Sequence, residues 1–115
     1  MSSIKTQHKS LARLSPQEMA KHADETADVL KSIANPKRLM ILCALIEEEK
    51  TVSALNELVP LSQSALSQHL ARLRAENLVT TRKERQTVHY SISDPRIVDL
   101  MSSLYELYCV PQEQG

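Results

Sequence analysis

The chain has 115 residues, with 14 basic and 14 acidic side chains and a formal net charge of zero. It contains no Trp or Phe, three Tyr and a single Gly, so aliphatic helices have to supply most of the core. No apolar run approaches the roughly 20 residues of a membrane-spanning helix, and the first residues lack an apolar signal core. We therefore expect one small cytoplasmic domain without a membrane partner.

The first predicted helix has a strong start signal. Residues 1–14 are polar and basic, and Ser15-Pro16-Gln17-Glu18 then supplies a capping Ser, a Pro at the first helical position and a Glu that completes a capping box. The helix is predicted to run to about Ala34. Its apolar seam consists of small residues such as Ala23 and Ala27, which permit close helix packing.

The second and third predicted helices follow directly. Asn35-Pro36 ends the first helix and opens the second, which is predicted to run from Lys37 to about Glu48. Because the second helix is apolar on most sides, we expect it at the centre of the fold. Ser53 is predicted to cap a short third helix that ends at Val59.

The fourth predicted helix carries the most informative pattern of the chain. Leu66, Leu70 and Leu73 recur at helical spacing and are predicted to face the core. The opposite side carries short hydroxyls and amides, which can reach base edges in a DNA major groove. Ser62 is the expected N-cap, and Asn77 stands where a helix C-terminus commonly needs a left-handed residue.

A basic hairpin is predicted immediately after the fourth helix. Leu78–Lys83 and Thr87–Ile92 have the composition of paired strands around Glu84-Arg85-Gln86. Because this connection contains no Gly, we expect a loose wing rather than a tight primed turn. Between His69 and Arg85 there are five basic residues against two acidic ones, so this region is locally basic although the chain is neutral.

A polar-faced helix that runs into a basic hairpin is the layout of a winged helix-turn-helix that reads DNA. His69 lies at the edge of the apolar face, so a packing role and a DNA contact are both open for it. The predicted DNA-binding residues are Gln63, Ser64, Ser67, Gln68, His69, Arg72, Lys83, Arg85 and Gln86.

Ser93-Asp94-Pro95 is predicted to open the last helix, which ends at about Cys109. Its apolar residues occupy more than one face. One face can cover the domain, and the other requires a second protomer, so the sequence predicts a homodimer. The predicted interface consists of Ala23, Ala27, Leu100, Leu104 and Leu107.

Several segments resemble the ArsR/SmtB family of bacterial repressors: Asn35–Leu39, Leu61–Leu70 with its Ser-Gln-His-Leu motif, Arg82-Lys83 and Val88–Tyr90. The resemblance covers roughly residues 16 to 109. It implies a mainly α fold, in which a winged helix-turn-helix of five helices carries a small β-hairpin between the fourth and fifth helices. It also implies a homodimeric transcriptional regulator that binds a roughly palindromic double-stranded DNA operator. We expect this domain at residues 15–110, between tails at residues 1–14 and 111–115.

The positions of Cys43 and Cys109 resemble those in the HlyU, BigR and SqrR subgroup of the family. Several members of that subgroup respond to persulfides or oxidants through two thiols. The resemblance therefore implies a redox switch at Cys43 and Cys109, with reactive sulfur or oxidant species as inducer. Cys43 alone is also readily explained as a small core residue. Two alternatives stay open: a regulator without thiol input that acts by abundance or by competition with another DNA-bound protein, and a protein-interaction module that uses the last helix.

Metal and enzyme chemistry find no support in the sequence. The third predicted helix contains no Cys, and no His occurs after His89, so the metal sites usual in the resembled family lack their ligands and no cofactor is expected. No nucleophile, base and orienting group stand at a recognisable spacing. A phosphate-binding loop is excluded because no internal Gly occurs.

Overall fold

The computed structural model describes residues 14–109. The described residues divide into two compact units, residues 14–31 and residues 32–109. The described residues form five helices in the predicted order, and a hairpin lies between the fourth and fifth helices along the chain. This order confirms the predicted fold class. The helices are α1 (Pro16–Ile33), α2 (Pro36–Ala44), α3 (Val52–Leu58), α4 (Gln63–Ala75) and α5 (Pro95–Tyr108), and the strands are β1 (Lys50–Thr51), β2 (Val79–Glu84) and β3 (Thr87–Ile92).

Helix α1 begins with the predicted capping box. The backbone N–H of Glu18 donates to Ser15 Oγ, and the backbone N–H of Ser15 donates to Glu18 Oε1, both at 3.0 Å. Almost every side chain of α1 before Ser32 is exposed in the single chain. The predicted tails fall outside the described residues, apart from residue 14.

Helix α2 starts as predicted but is shorter. The Asn35 side chain accepts two backbone N–H groups of the first turn, at 3.0 and 3.1 Å. The prediction that the helix continues to about Glu48 was wrong, because α2 ends at Ala44. The N–H of buried Leu45 closes the last turn, and the chain then has to bend so that Lys50 can pair with β3. Pairing with a distant strand thus overrides local helix propensity.

The cap of helix α3 differs from the sequence prediction. Thr51, rather than Ser53, is the N-cap: its backbone is extended and its Oγ1 accepts the N–H of Ala54 at 3.1 Å. Ser53 lies inside the first turn of the helix. Thr51 is also the last residue of β1 and lies opposite His89 of β3, so strand pairing fixes the extended backbone that a cap requires.

The three strands form an antiparallel sheet in the order β1-β3-β2. The pairing of β2 with β3 extends to Glu84 opposite Thr87, so Arg85 and Gln86 alone form the turn. The loose wing predicted from the absence of Gly was therefore wrong. Arg85 adopts a positive φ of 60° and supplies the left-handed residue that such a turn needs.

Two further predicted helix boundaries are confirmed, whereas the first strand of the hairpin is Val79–Glu84 rather than the predicted Leu78–Lys83. Asn77 has a φ of 63° directly after α4, and the Asp94 side chain accepts the N–H of Arg96 at 2.9 Å at the start of α5. The core of the unit from residue 32 onward is aliphatic, as the composition requires. Its most deeply buried members, each no more than 1% exposed, include Ile41, Leu42, Leu55, Leu66, Leu70, Leu73 and Met101.

Candidate nucleic-acid interface

Helix α4 is anchored by one face and by its first turn. Leu66, Leu70 and Leu73 are fully buried, as their spacing predicts. Ser62 is the N-cap, because its Oγ accepts the N–H of Ala65 at 3.1 Å. The preceding turn is held by the Asn56 amide, which donates to the Leu61 carbonyl at 2.8 Å. The other, polar face of α4 is therefore presented by a packed helix rather than by a loop.

The opposite face of α4 is solvent-exposed and polar. Hydroxyl and carboxamide groups dominate it, and these groups both donate and accept hydrogen bonds without carrying charge. Such groups match the donor and acceptor patterns of base edges in a major groove. The exposed positions that were predicted to contact DNA on this helix are Gln63, Ser64, Ser67, Gln68 and Arg72.

The wing presents its cations at the tip. Lys83, Arg85 and Gln86 are exposed, and the first two make no ion pair with any residue between 14 and 109. Arg85 occupies the first central position of the turn, at the extreme end of the hairpin. Lys83 and Arg85, which lie two positions apart, are suited to contact phosphate groups beside a groove that the polar helix enters.

A third cation of the wing, Arg82, is bonded to two carboxylates, unlike Lys83 and Arg85. Its Nε and Nη2 donate to Glu49 at 3.1 and 2.5 Å, and its Nη1 donates to Glu84 at 3.2 Å. The guanidinium holds the pKa of Glu49 below its ordinary value. Sequence reasoning counted Arg82 in the basic excess and missed Glu49, which lies 33 positions earlier.

Arg72 also has an ion-pair partner, but on its own helix. Its Nε lies 3.0 Å from Glu76 Oε2, and the Arg72 side chain is 55% exposed. An exposed pair at this spacing contributes only about 0.3–0.5 kcal/mol. A DNA phosphate can therefore compete for Arg72, whereas the two carboxylates around Arg82 leave that side chain engaged.

His69 is half-buried, unlike the other predicted contacts on α4. Its Nδ1 lies 3.4 Å from Nη1 of Arg38, a residue in the first turn of α2. Burial lowers the pKa of His69, and the charge of Arg38 lowers it further. Sequence reasoning did not identify Arg38, because the two residues are 31 positions apart.

Both cysteines are free thiols. Cys43 is half-buried near the end of α2, and Cys109 is exposed at the C-cap of α5. Burial raises the pKa of the Cys43 thiol, and the Cys109 thiol raises it further. A groove of about 510 Å³, here called the thiol groove, is lined by Cys43, Ala44, Ile46, Glu47, Lys50, Ser102, Tyr105 and Glu106.

The side of α5 that lines the thiol groove is distinct from its remaining apolar side. Ser102 and Tyr105 line the groove and are three positions apart, and Cys109 follows Tyr105 by four positions. Residues at these spacings lie on one side of a helix. Leu100 and Leu104 are half-buried on another side of the helix, and Leu107 is 67% exposed. Helix α1 independently exposes its predicted interface residues, Ala23 and Ala27.

Metal clusters and membrane-spanning helices are both absent from the part of the chain that the structure describes. No cluster of three or more His, Cys, Asp or Glu side chains there is arranged to hold a metal ion. Within the same residues, no helix combines the length and the apolar character needed to cross a membrane.

A helix with one buried face and one exposed polar face, next to a hairpin that carries cations at its turn, defines the class of winged helix-turn-helix DNA-binding proteins. The model for bacterial regulatory proteins of the arsR family matches residues 35–81. Relatives that align over most of the chain agree with this match. The chain belongs to the arsR family and is a DNA-binding transcriptional regulator, which confirms the resemblance seen in its sequence.

Three known proteins, HlyU, BigR and Mb0332, illustrate the similarity. The transcriptional activator HlyU of Vibrio cholerae is 47% identical over 98 residues, which cover 85% of this chain and 91% of HlyU. The structure of reduced HlyU from Vibrio cholerae N16961 matches with a TM-score of 0.78 and 48% identity, over 82% of this chain and 99% of that chain. The crystal structure of the transcriptional repressor BigR from Xylella fastidiosa has a TM-score of 0.75 and 33% identity, over 85% and 100% of the two chains.

The third protein is Mb0332 from Mycobacterium bovis, whose homodimeric winged helix-turn-helix DNA-binding domain was solved in solution. It matches with a TM-score of 0.68 and 26% identity, over 90% of this chain and 99% of that chain. All three are regulators or DNA-binding domains, and the family is one of DNA-binding proteins rather than enzymes.

Proposed function

We propose that this regulator is a homodimer whose affinity for a roughly palindromic operator falls when reactive sulfur species or oxidants link Cys43 to Cys109. One observation carries the proposal: half-buried Cys43 lines the thiol groove between α2 and α5, and exposed Cys109 lies at the end of α5. The DNA contacts that we propose are Gln63, Ser64, Ser67, Gln68 and Arg72, which form the proposed reading face of α4, and Lys83, Arg85 and Gln86 in the wing.

Unpaired apolar surface supports the homodimer. Leu107 is 67% exposed, and Leu30 of α1 is 48% exposed in the single chain. Leu100 and Leu104 continue the α5 surface, which a second protomer can cover. The homodimeric domain of Mb0332 shares this fold. A dimer places two recognition helices, the α4 helices of its two protomers, against half-sites about 34 Å apart.

The environments of the two thiols support different chemical roles for them. Cys109 is the better nucleophile, because it is exposed while burial raises the pKa of Cys43. The Cys109 thiolate attacks the outer sulfur of a low-molecular-weight persulfide, and the donor leaves as its thiolate. Cys43 then attacks the Cys109 sulfur of the new persulfide and releases hydrosulfide. The two protein thiols are oxidised to a disulfide, and the persulfide is reduced to a thiol and hydrogen sulfide.

The link acts on DNA binding through dimer geometry. It would join the end of α2 to the end of α5, the helix that carries the proposed interface residues Leu100, Leu104 and Leu107. Because both recognition helices have to match their half-sites together, a small change at the interface is enough to lower affinity. A second persulfide molecule can donate its outer sulfur to the disulfide and leave as a thiol, and the resulting trisulfide would bridge a wider separation than a disulfide does.

The experiment measures operator binding with non-specific competitor DNA, before and after treatment with a persulfide donor. The reduced parent protein and the variants Cys43→Ser and Cys109→Ser should all bind, since neither thiol is a DNA contact. Only the parent should lose affinity on treatment, and its intact mass should show an intramolecular link. The thiol-switch proposal fails if both serine variants respond as strongly as the parent. Absence of specific binding by the reduced parent would instead contradict the proposed reading face.

A further inference from the structure

One side chain connects the recognition helix to the junction between α1 and α2. Arg38 donates from Nε to the Ser32 carbonyl at 2.6 Å, and its Nη1 lies 3.4 Å from Nδ1 of His69. Ser32 is almost completely buried, and Arg38 and His69 are half-buried. The contact therefore fixes a point on α4 between its exposed reading face and its buried leucines.

The chemistry of this contact determines the charge state of His69. A guanidinium has only N–H donors, so the contact requires an unprotonated Nδ1 that accepts. Neutral imidazole meets this condition when its proton is on Nε2. Protonation would turn Nδ1 into a donor and place two cations side by side, so the contact would be lost.

We propose that Arg38 and neutral His69 form a positioning pair that holds the recognition helix in its DNA-binding orientation, so that protonation of His69 lowers operator affinity. The inference rests on the α4 reading face proposed above. His69 directly follows Gln68, one of the proposed base contacts, so a shift of the His69 backbone moves that side chain as well. Arg38 is not one of the proposed DNA contacts, so its effect on the reading face passes through His69.

The charged surroundings of His69 support this assignment. Helices α2 and α3 and strand β2 pack against α4, and the charged group that they direct at the imidazole is Arg38. Arg72, one turn further along α4, is paired with Glu76. No carboxylate among residues 14–109 forms an ion pair with His69 that would stabilise its protonated form. His69 thus differs from His22, which lies beside Glu25, and from His89, which lies near two glutamates.

A direct phosphate contact by His69 predicts the opposite pH dependence. An imidazolium attracts phosphate, so operator affinity would rise on acidification. In the positioning pair, only protomers with neutral His69 are competent. At a pH equal to the His69 pKa each protomer is half competent, so the affinity of a dimer falls about fourfold. The sign of the pH effect therefore separates the two roles.

The test measures operator affinity of the full-length protein between pH 8 and pH 5.5 at constant ionic strength, by fluorescence anisotropy. The parent should lose affinity toward acid pH. His69→Gln should bind at pH 8 within about twofold of the parent and should lack the acid loss, because its amide oxygen accepts from Arg38 and does not titrate. A loss of equal size in His69→Gln, or an affinity that rises toward acid pH only in the parent, would overturn the proposal.

A second readout does not depend on DNA. The pKa of His69 is measured from its ring-proton shifts in the free protein, for the parent and for Arg38→Met. Removal of the guanidinium should raise the pKa of His69, and circular dichroism should confirm that the variant is folded. An unchanged His69 pKa would refute the pair even if the reading face proves correct, and a raised pKa without specific DNA binding would contradict only the reading face.

Discussion

Replacement of Arg85 by Gly should increase the stability of the fold and weaken DNA binding. Arg85 is one of two residues in a tight turn and has a φ of 60°. A left-handed backbone costs a residue with a Cβ roughly 1–2 kcal/mol. Gly avoids this cost but loses about 0.5–1 kcal/mol more backbone entropy on folding. The net stabilisation is about 0.5–1 kcal/mol, which should raise Tm by about 2–8 °C for a domain of this size.

The same substitution removes one exposed cation from each wing. If a dimer contacts DNA through both wings, Arg85→Gly eliminates two phosphate contacts. The slope of the logarithm of the binding constant against the logarithm of salt concentration should then become less negative by about 1.8. Affinity for operator and for random DNA should fall together, because phosphate contacts carry no base information.

Calorimetry and anisotropy titrations from 50 to 300 mM salt, a range that brackets about 0.15 M physiological ionic strength, measure the two effects. Gln86→Gly is the matched control: Gln86 does not have a positive φ, so this variant should lower Tm and leave the salt slope unchanged. Arg85→Lys should retain most of the slope. A lower Tm for Arg85→Gly would refute the backbone argument, and an unchanged slope would remove Arg85 from the phosphate contacts.

Three further substitutions test other parts of the molecule. Gln68→Ala should cost about 1–3 kcal/mol of binding on the cognate operator and little on random DNA, and an equal loss on both would contradict base readout. Leu104→Glu should convert the dimer to a monomer or an unfolded chain in sedimentation equilibrium, and a persisting dimer would place the interface elsewhere. Glu49→Gln should lower Tm slightly at neutral pH, because Arg82 holds the pKa of Glu49 below its ordinary value. That stabilisation is lost as pH falls through the lowered pKa, so the two melting temperatures should converge in acid; a constant difference would indicate a packing effect.

Features that depend on neighbours along the chain could be read from the sequence. The capping box of Ser15 and Glu18 and the cap at Ser62 involve residues three positions apart. Asn77 needs only its own backbone preference to end α4. The buried leucines of α4 follow from helical periodicity, which also predicts that the polar side chains between them are exposed. The reading face could therefore be predicted without a structure.

Features that depend on distant pairing required the tertiary structure. Helix α2 ends at Ala44 and Thr51 caps α3 because β1 pairs with β3, whose residues come almost 40 positions later. Arg82 is neutralised by Glu49 and His69 is held by Arg38, contacts that span 33 and 31 positions. Local composition carries no signal for such pairs, since packing of the elements decides which charges meet. The sequence by itself determined the order of the elements and the polar face of α4. Only the tertiary structure decided which wing cations have an ion-pair partner and which side chain contacts His69 on α4.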